Sequence, residues 1–375
     1  MKKILFYLVI SLLPAYALGT TPACTTPDVQ QAAIIFTTTG ASVVGDAEFS
    51  IGGAKKVRFA KGNLQYCPKH NTWRIAHRAF DFVGGTGSGD PSGEQGTVWA
   101  EIDGKLNRCS NNRGHNKDYE GWIDLFPWGA SGWYGLDAGE APSTTPYNER
   151  SNDNKKVTCY PYECLPNANY KLGDALSQSM VGDYANADWG VLHNTELGGT
   201  AEESFRTPTE AEYDSLFFSR KNAAELRGRA RIVLKGIGTD DKGKAKPDTL
   251  VNGYILLPNN WDPKVWPYTT FISDAAGCYY YKDNIISEGE WKLLEVQGAI
   301  FLPAAGGMRK DGGHLNPNRS GYYWTSTAAT DKEIKAYHIE FGGRDNAPAN
   351  YIPARHTKEL RACGRAVRLC IEVKD

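Results

Sequence analysis

Two short apolar runs, each closed by a glycine and a proline, constrain this chain more than any other feature: Gly253-Tyr254-Ile255-Leu256-Leu257-Pro258 and Gly298-Ala299-Ile300-Phe301-Leu302-Pro303. Apolar stretches this brief, with a helix breaker at each end, read as buried strands. The fold must therefore enclose a sheet. The balance of 40 Gly, 20 Tyr and 10 Trp against 3 Met points to a loop-rich chain with strands and away from a helical bundle. At 375 residues and 41% hydrophobic, the chain has apolar surface enough for one large domain or two ordinary ones. Basic and acidic side chains, 42 against 43, nearly cancel, so no long-range field favours nucleic acid as a partner.

Further strands are expected at Val57 to Ala60 and Asn63 to Tyr66, around Lys61-Gly62, and at Thr72 to Ile75. Gly84 to Asn116 is rich in Gly, Ser, Asp and Asn and reads as loop. Gly121 to Gly129 sets aromatics between glycines, which describes a packed loop. The segment Arg206 to Phe217 opens a helix: Thr207 caps it, Pro208 takes the first helical position and Glu210 completes a capping box. Its buried stripe is Ala211, Tyr213, Leu216 and Phe217, with an end near Ser219 or Leu226. A second short helix is expected over Glu288 to Val296. Near the C-terminus Tyr337, Ile339 and Phe341 alternate with His338 and Glu340, and Val367, Leu369, Ile371 and Val373 alternate with Arg368 and Glu372. Two amphipathic strands joined by a long excursion, Gly342 to Gly364, follow from that pattern.

Lys2-Lys3, the apolar run Ile4 to Leu13 and Pro14-Ala15-Tyr16-Ala17 have the basic, apolar, small-residue order of a secretory signal peptide. The run falls short of the ~20 residues that span a bilayer. Residues 1–19 are therefore read as a signal peptide, 20–48 as a linker or N-terminal arm, and 49–375 as the folded domain. The arm is rich in Thr, Ala and Pro and shows little periodicity beyond Ala32 to Phe36. A secreted or cell-surface protein is expected, with a lipid anchor at Cys24 as the other route to a membrane. Cys24, Cys67, Cys109, Cys159, Cys164, Cys278, Cys363 and Cys370 permit disulfides in such a chain but leave the pairing open. Cys363 and Cys370, seven apart on one strand, would face opposite sides and should not pair. No CxxC occurs and no His stands at metal-ligand spacing, so neither metal nor cofactor is expected.

Arg206-Thr207-Pro208-Thr209-Glu210-Ala211-Glu212-Tyr213 resembles the R-L-P-T-E-A-E-W helix opening of the formylglycine-generating-enzyme-like superfamily, which has a C-type-lectin-like fold. Gly253 to Pro258, Gly298 to Gly306, Gly321-Tyr322-Tyr323-Trp324-Thr325-Ser326-Thr327 and Gly364-Arg365-Ala366-Val367-Arg368-Leu369 follow in the order found in a branch of secreted surface proteins of gut anaerobes. The similarity covers about Phe49 to Ile371. It implies an α+β, C-type-lectin-like domain with long ordered loops, few regular elements and its first and last strands close together. Some members of that branch resemble targets of diversity-generating retroelements, in which a fixed scaffold presents a changeable face on the C-terminal strands and loops. The matching segment here, Thr327 to Arg365, makes His338, Glu340, Arg344, Asp345, Asn346, Asn350, Tyr351 and His356 the candidate ligand-binding residues, with Arg355 beside them. An ordinary solvated hairpin is the alternative reading.

Catalytic members of the superfamily carry a copper-binding pair in a Cys-Tyr-x-Tyr-x-Cys context, and Cys159-Tyr160-Pro161-Tyr162-Glu163-Cys164 matches it in letters. In those enzymes the pair lies just before the last strand, whereas here it precedes the capped helix. A loop disulfide is the simpler role. Calcium-dependent lectins of this fold use E-P-N or Q-P-D with W-N-D, and Asn316-Pro317-Asn318 with Trp324-Thr325-Ser326 lacks the acids. Metal-free stacking of a sugar on Trp261, Trp266 or Tyr351 stays open, whereas Trp324 is expected in the core. Gly84 to Gly89 reads as a flexible loop and Asp240-Asp241 as solvated charge. The expectation is a noncatalytic binder of a protein or glycan, with a copper oxidase or a surface-fibre subunit as rivals.

Overall fold

The computed structural model describes residues 47–83, the backbone of 99–102 and 105–108, residues 122–129 and residues 179–374, apart from 68–69, 71, 127, 237, 240–241, 263, 265–270, 309–313, 330–334, 343–351 and 362. The expected signal peptide, the arm through residue 46, Cys24, the Cys159 to Cys164 segment, Gly84 to Gly89, Asp240-Asp241 and Trp266 lie outside the described residues. Helices and several sheets together make a mixed α+β architecture.

The strands expected at 57–60, 63–66 and 72–75 form, and the fold assigns their partners. β1 (Phe49–Ser50), β2 (Lys56–Phe59), β7 (Phe205–Arg206) and β17 (Cys370–Glu372) build one sheet in the order β1-β2-β17-β7, so the first strands pair with the last. β3 (Leu64–Cys67) pairs with β4 (Thr72–Ile75), not with β2 across Lys61-Gly62. A hairpin, β5 (Trp99–Ile102) and β6 (Lys105–Arg108), occupies part of the stretch read as loop. β8 (Arg227–Leu234), β9 (Thr249–Leu256), β10 (Ile285–Ser287) and β11 (Ile300–Pro303) form the sheet β10-β8-β9-β11, whose strands β9 and β11 are the two Gly/Pro-bounded runs. A two-residue pair, β12 (Gly307–Met308) and β13 (His314–Leu315), precedes the last sheet. That sheet comprises β14 (Ser320–Ala328), β15 (Lys335–Gly342) and β16 (Ile352–Leu360), all antiparallel.

Among the described residues there are three short α-helices, α1 (Trp189–Leu192), α2 (Glu210–Asp214), which continues as a π-helical turn over Ser215–Ser219, and α3 (Glu288–Val296), with 3-10 turns at Gly182–Ala187 and Tyr281–Asp283. The cap of α2 sits two residues later than the sequence suggests. Thr209 Oγ1 accepts from the Glu212 N–H, and the Glu212 carboxylate accepts from the Thr209 N–H at 2.8 Å, which closes the capping box one position past Pro208. Thr207 is drawn elsewhere, donating its backbone N–H to Asp188 Oδ2. Of the expected stripe, Tyr213, Leu216 and Phe217 are buried and Ala211 is exposed, since a residue two positions before Tyr213 points away from the face that Leu216 and Phe217 share with it. Thr209→Ala should lower stability by about 1 kcal/mol in urea denaturation. A change within error would return the cap to Thr207.

One core surrounds the β10-β8-β9-β11 sheet, with Tyr254, Phe301, Trp291 and Phe217 at its centre. A second gathers Trp73, Phe126, Trp128, Trp189 and Trp324, so the aromatic loop around 122–128 is packed as expected. The C-terminal segment differs most from the sequence reading. Residues 364–369 form no amphipathic strand with a wet face; they thread between β14 and β3. Trp324 N donates to Ala366 O at 3.0 Å, Leu64 N to Val367 O at 3.0 Å, and Ala60 N to Leu369 O at 2.9 Å. Arg368, expected opposite the apolar face, is fully buried. Its Nη1 donates to the carbonyls of Ala60 and Lys61, and its Nη2 to Asn63 Oδ1 and the carbonyls of Ala79 and Phe301. Satisfying five acceptors from three chain segments at once explains why a guanidinium lies in the interior.

Candidate functional site

The C-terminal sheet carries the candidate residues, and its register decides which of them meet solvent. Cross-strand rows run Tyr322–Glu340–Arg355 and Trp324–His338–Thr357 on one face, and Tyr323–Ile339–His356 on the other. His338 and Glu340 do alternate with Ile339 and Phe341, yet their face is not the wet one expected. His338 is 3% exposed and Glu340 9%. The His338 ring meets Trp324 edge-on at 5.7 Å and Tyr322 at 5.9 Å. Arg365, 1% exposed, lies over Tyr322 and Trp324, donates to Glu359 Oε2 at 3.2 Å, and closes the same face. His338 and Glu340 are corrected from solvent-facing ligand contacts to buried supports, because the returning 361–369 segment covers them.

Glu340 accepts from Arg355 Nη2 at 3.1 Å and Nε at 3.3 Å, so the buried carboxylate holds an arginine that is itself exposed. His356 is exposed on the opposite face. Its Nδ1 lies 3.1 Å from Asp214 Oδ1 and 3.4 Å from Glu210 Oε1, and its ring meets Tyr337 and Phe218 edge-on. Lys358 is exposed on that side as well. Arg344, Asp345, Asn346, Asn350 and Tyr351 lie outside the described residues. Strand β16 was missed in the sequence because Arg355-His356-Thr357-Lys358-Glu359 has no apolar alternation. Charged residues with a proline at an edge position are the usual mark of an edge strand, and Pro353 with Lys358 is that signal.

Burial first, and then the cations of Arg365 and Arg355, hold the His338 imidazole well below its ordinary value of 6.5. With the folded value depressed, the unfolded chain takes up this proton first. The contribution of His338 is thus intact above about pH 6.5 and erodes as pH falls below it. Replacing His338 by Phe, which keeps the aromatic packing, should flatten that part of the stability profile between pH 6.5 and 5. An unchanged slope would show that the imidazole titrates normally.

Other expected sites prove structural. Asn318, at φ 57°, accepts from Asn252 N at 2.7 Å and donates to Leu250 O at 2.8 Å, so the Asn316-Pro317-Asn318 string clamps β9 to the turn before β14. Trp324 is in the core as expected, and Trp261 is half-buried against the larger one. Cys67 is disulfide-bonded, whereas Cys278 and Cys370 are free buried thiols, so Cys363 and Cys370 do not pair. Burial pushes the Cys278 thiol up to about 12 and raises Cys370 further, which opposes thiolate chemistry at either. Among the described residues no helix is long and apolar enough to cross a membrane. No family model, curated protein or solved structure matches this chain.

Proposed function

We propose that this protein is an exported, noncatalytic binding protein of C-type-lectin-like architecture that captures a protein or glycan ligand at or outside the cell surface. The recognition face is the edge strand β16 with the connection 343–351 that feeds it. The observation that carries this reading is the display of Arg355, His356 and Lys358 on the edge strand of a sheet whose other two strands, β14 and β15, are mostly buried. Arg355 is held by Glu340, and His356 by Glu210 and Asp214. Exposed side chains with fixed bases lose little freedom on binding, which favours recognition. The sequence motifs and the pairing of β2 with β17 support the C-type-lectin-like architecture.

The test is a ligand screen followed by alanine substitution. Arg344, Tyr351, Arg355, His356 and Lys358 changed together should reduce capture at least tenfold while the melting temperature moves by only a few degrees. His338 and Glu340 are left out, since their burial makes loss of fold the expected effect. Undiminished capture by the fivefold variant would remove the face from consideration. Oxidation of a substrate thiol that depends on added copper and on Cys159 and Cys164 would replace binding by the oxidase reading.

A further inference from the structure

We propose that Arg220 and Arg227 form a binding site for a small oxyanion, a carboxylate or a phosphate, beneath the ring of Phe218. The site stands independently of the recognition role given to β16. Arg220 follows the π-helical turn Ser215–Ser219 and folds back into the protein, where it is only 6% exposed. Its donors reach neutral oxygens alone: Nε donates to Leu216 O at 2.9 Å, Nη1 to Asn259 Oδ1 at 3.4 Å and Nη2 to Leu226 O at 3.4 Å. The two long bonds go to acceptors already engaged, since Asn259 Oδ1 accepts from Ser50 N at 3.1 Å and Leu226 O from Leu257 N at 2.8 Å. Among the described residues no carboxylate pairs with Arg220. A charged side chain this deep is ordinarily paired.

The second cation is Arg227, which opens β8. Its Nε donates to Asp274 Oδ2 at 2.9 Å, while its Nη1 is buried with no hydrogen-bond partner. Asp274 is itself shared, accepting also from Arg229 Nη1 at 3.4 Å and from the Tyr254 hydroxyl. Asp214, just before the same π turn, is engaged by His356 and by the Ser219 hydroxyl, and Glu225 is exposed. Burial first, and then the neighbouring Arg227 cation, lowers the Arg220 pKa to about 10. The two guanidinium groups therefore stand close enough to repel each other in a dry setting, with one carboxylate divided between Arg227 and Arg229.

The chemistry of the pair selects the ligand. A guanidinium presents N–H donors in a planar fork that matches the paired oxygens of a carboxylate or phosphate. An oxyanion between the two arginines gives Arg227 Nη1 an acceptor, replaces the stretched bonds of Arg220 and supplies the countercharge that both lack. Burial of the donors limits the ligand to a small ion. Phe218 is the cover: its ring lies over the Arg227 guanidinium, 5.0 Å from Cζ to centroid, and the residue is 38% exposed. The ring offers its face to the cation but no oxygen. Exposed side chains change rotamer within nanoseconds, so Phe218 can admit an ion without unfolding of the turn.

The experiment titrates sodium phosphate, and separately sodium acetate, into the ¹⁵N-labelled protein while sodium chloride holds the ionic strength constant, and follows the arginine side-chain Nε–H resonances. With at least one of the two anions, saturable shifts are expected at Arg220 and Arg227 and none at remote buried arginines such as Arg74 and Arg368. Arg220→Gln and Arg227→Lys, read from the arginine that remains, should each weaken binding about tenfold, because each loses one fork. Phe218→Ala only uncovers the site and should bind at least as tightly as the parent. Should an arginine variant fail to fold, the parent resonances and Phe218→Ala decide the matter. No saturable shift with either anion, equal shifts at the remote arginines, undiminished binding in both arginine variants, or weaker binding in Phe218→Ala would overturn the proposal.

Discussion

Replacing Arg368 with leucine is expected to destabilise the protein by about 3–5 kcal/mol, a large part of the 5–15 kcal/mol that ordinary domains possess. The guanidinium joins Ala60, Lys61 and Asn63 between β2 and β3, Ala79, and Phe301 of β11, with every bond but that to Lys61 fully buried. Leucine fills much of the volume but leaves those oxygens without a donor, at about 1–3 kcal/mol for each that stays dry. Burial already lowers the arginine's own pKa, so its retention reflects these acceptors and not any ease of holding the charge. Lysine should recover only part of the loss, because one ammonium with three donors cannot serve five acceptors on three chain segments. A melting temperature within 2 °C of the parent for the leucine variant would contradict this account; a fall of about 10 °C is expected.

Asp188 should give the largest pH effect, with a sign opposite to that of most carboxylates. Its Oδ1 accepts from Gly190 N and its Oδ2 from Thr207 N, each at 2.8 Å, which caps α1 and ties it to the approach to α2. Burial nevertheless dominates the two N–H bonds and raises its pKa from 3.8 to about 6. The folded state therefore binds this proton first as pH falls. Stability from this group rises as pH drops through 6 and levels off below the unfolded value near 4. Relative to Asp188→Asn, the parent should gain about 2–3 kcal/mol between pH 7 and pH 4, measured by parallel urea titrations. His338 is common to both proteins and drops out of the difference. A flat or shrinking difference would mean that Asp188 is charged throughout.

How much of this was legible depended on whether burial came from neighbours in sequence or from distant segments. Glu288 to Val296 forms its helix as read, because Ser287 and Glu290 make the capping box within one turn. Thr207 and Thr209 are both plausible caps by sequence. The choice between them was made by Asp188, nineteen residues upstream, which takes the Thr207 N–H. At the candidate site, alternation assigned His338 and Glu340 correctly to one face. Only the return of the 361–369 segment, with Arg365 over Tyr322 and Trp324, closed that face to solvent. β16 escaped notice because an edge strand need not bury either side, and so carries no apolar period.

By itself the sequence determined the strands with strong local patterns, the position of α3 and the need for a buried sheet, since apolar period and capping act over a few residues. The tertiary structure alone decided strand partners, the interior position of Arg368, the burial of His338 and the exposure of β16. Those outcomes depend on which carbonyls and rings arrive from segments tens to hundreds of residues away, and no local pattern encodes such arrivals.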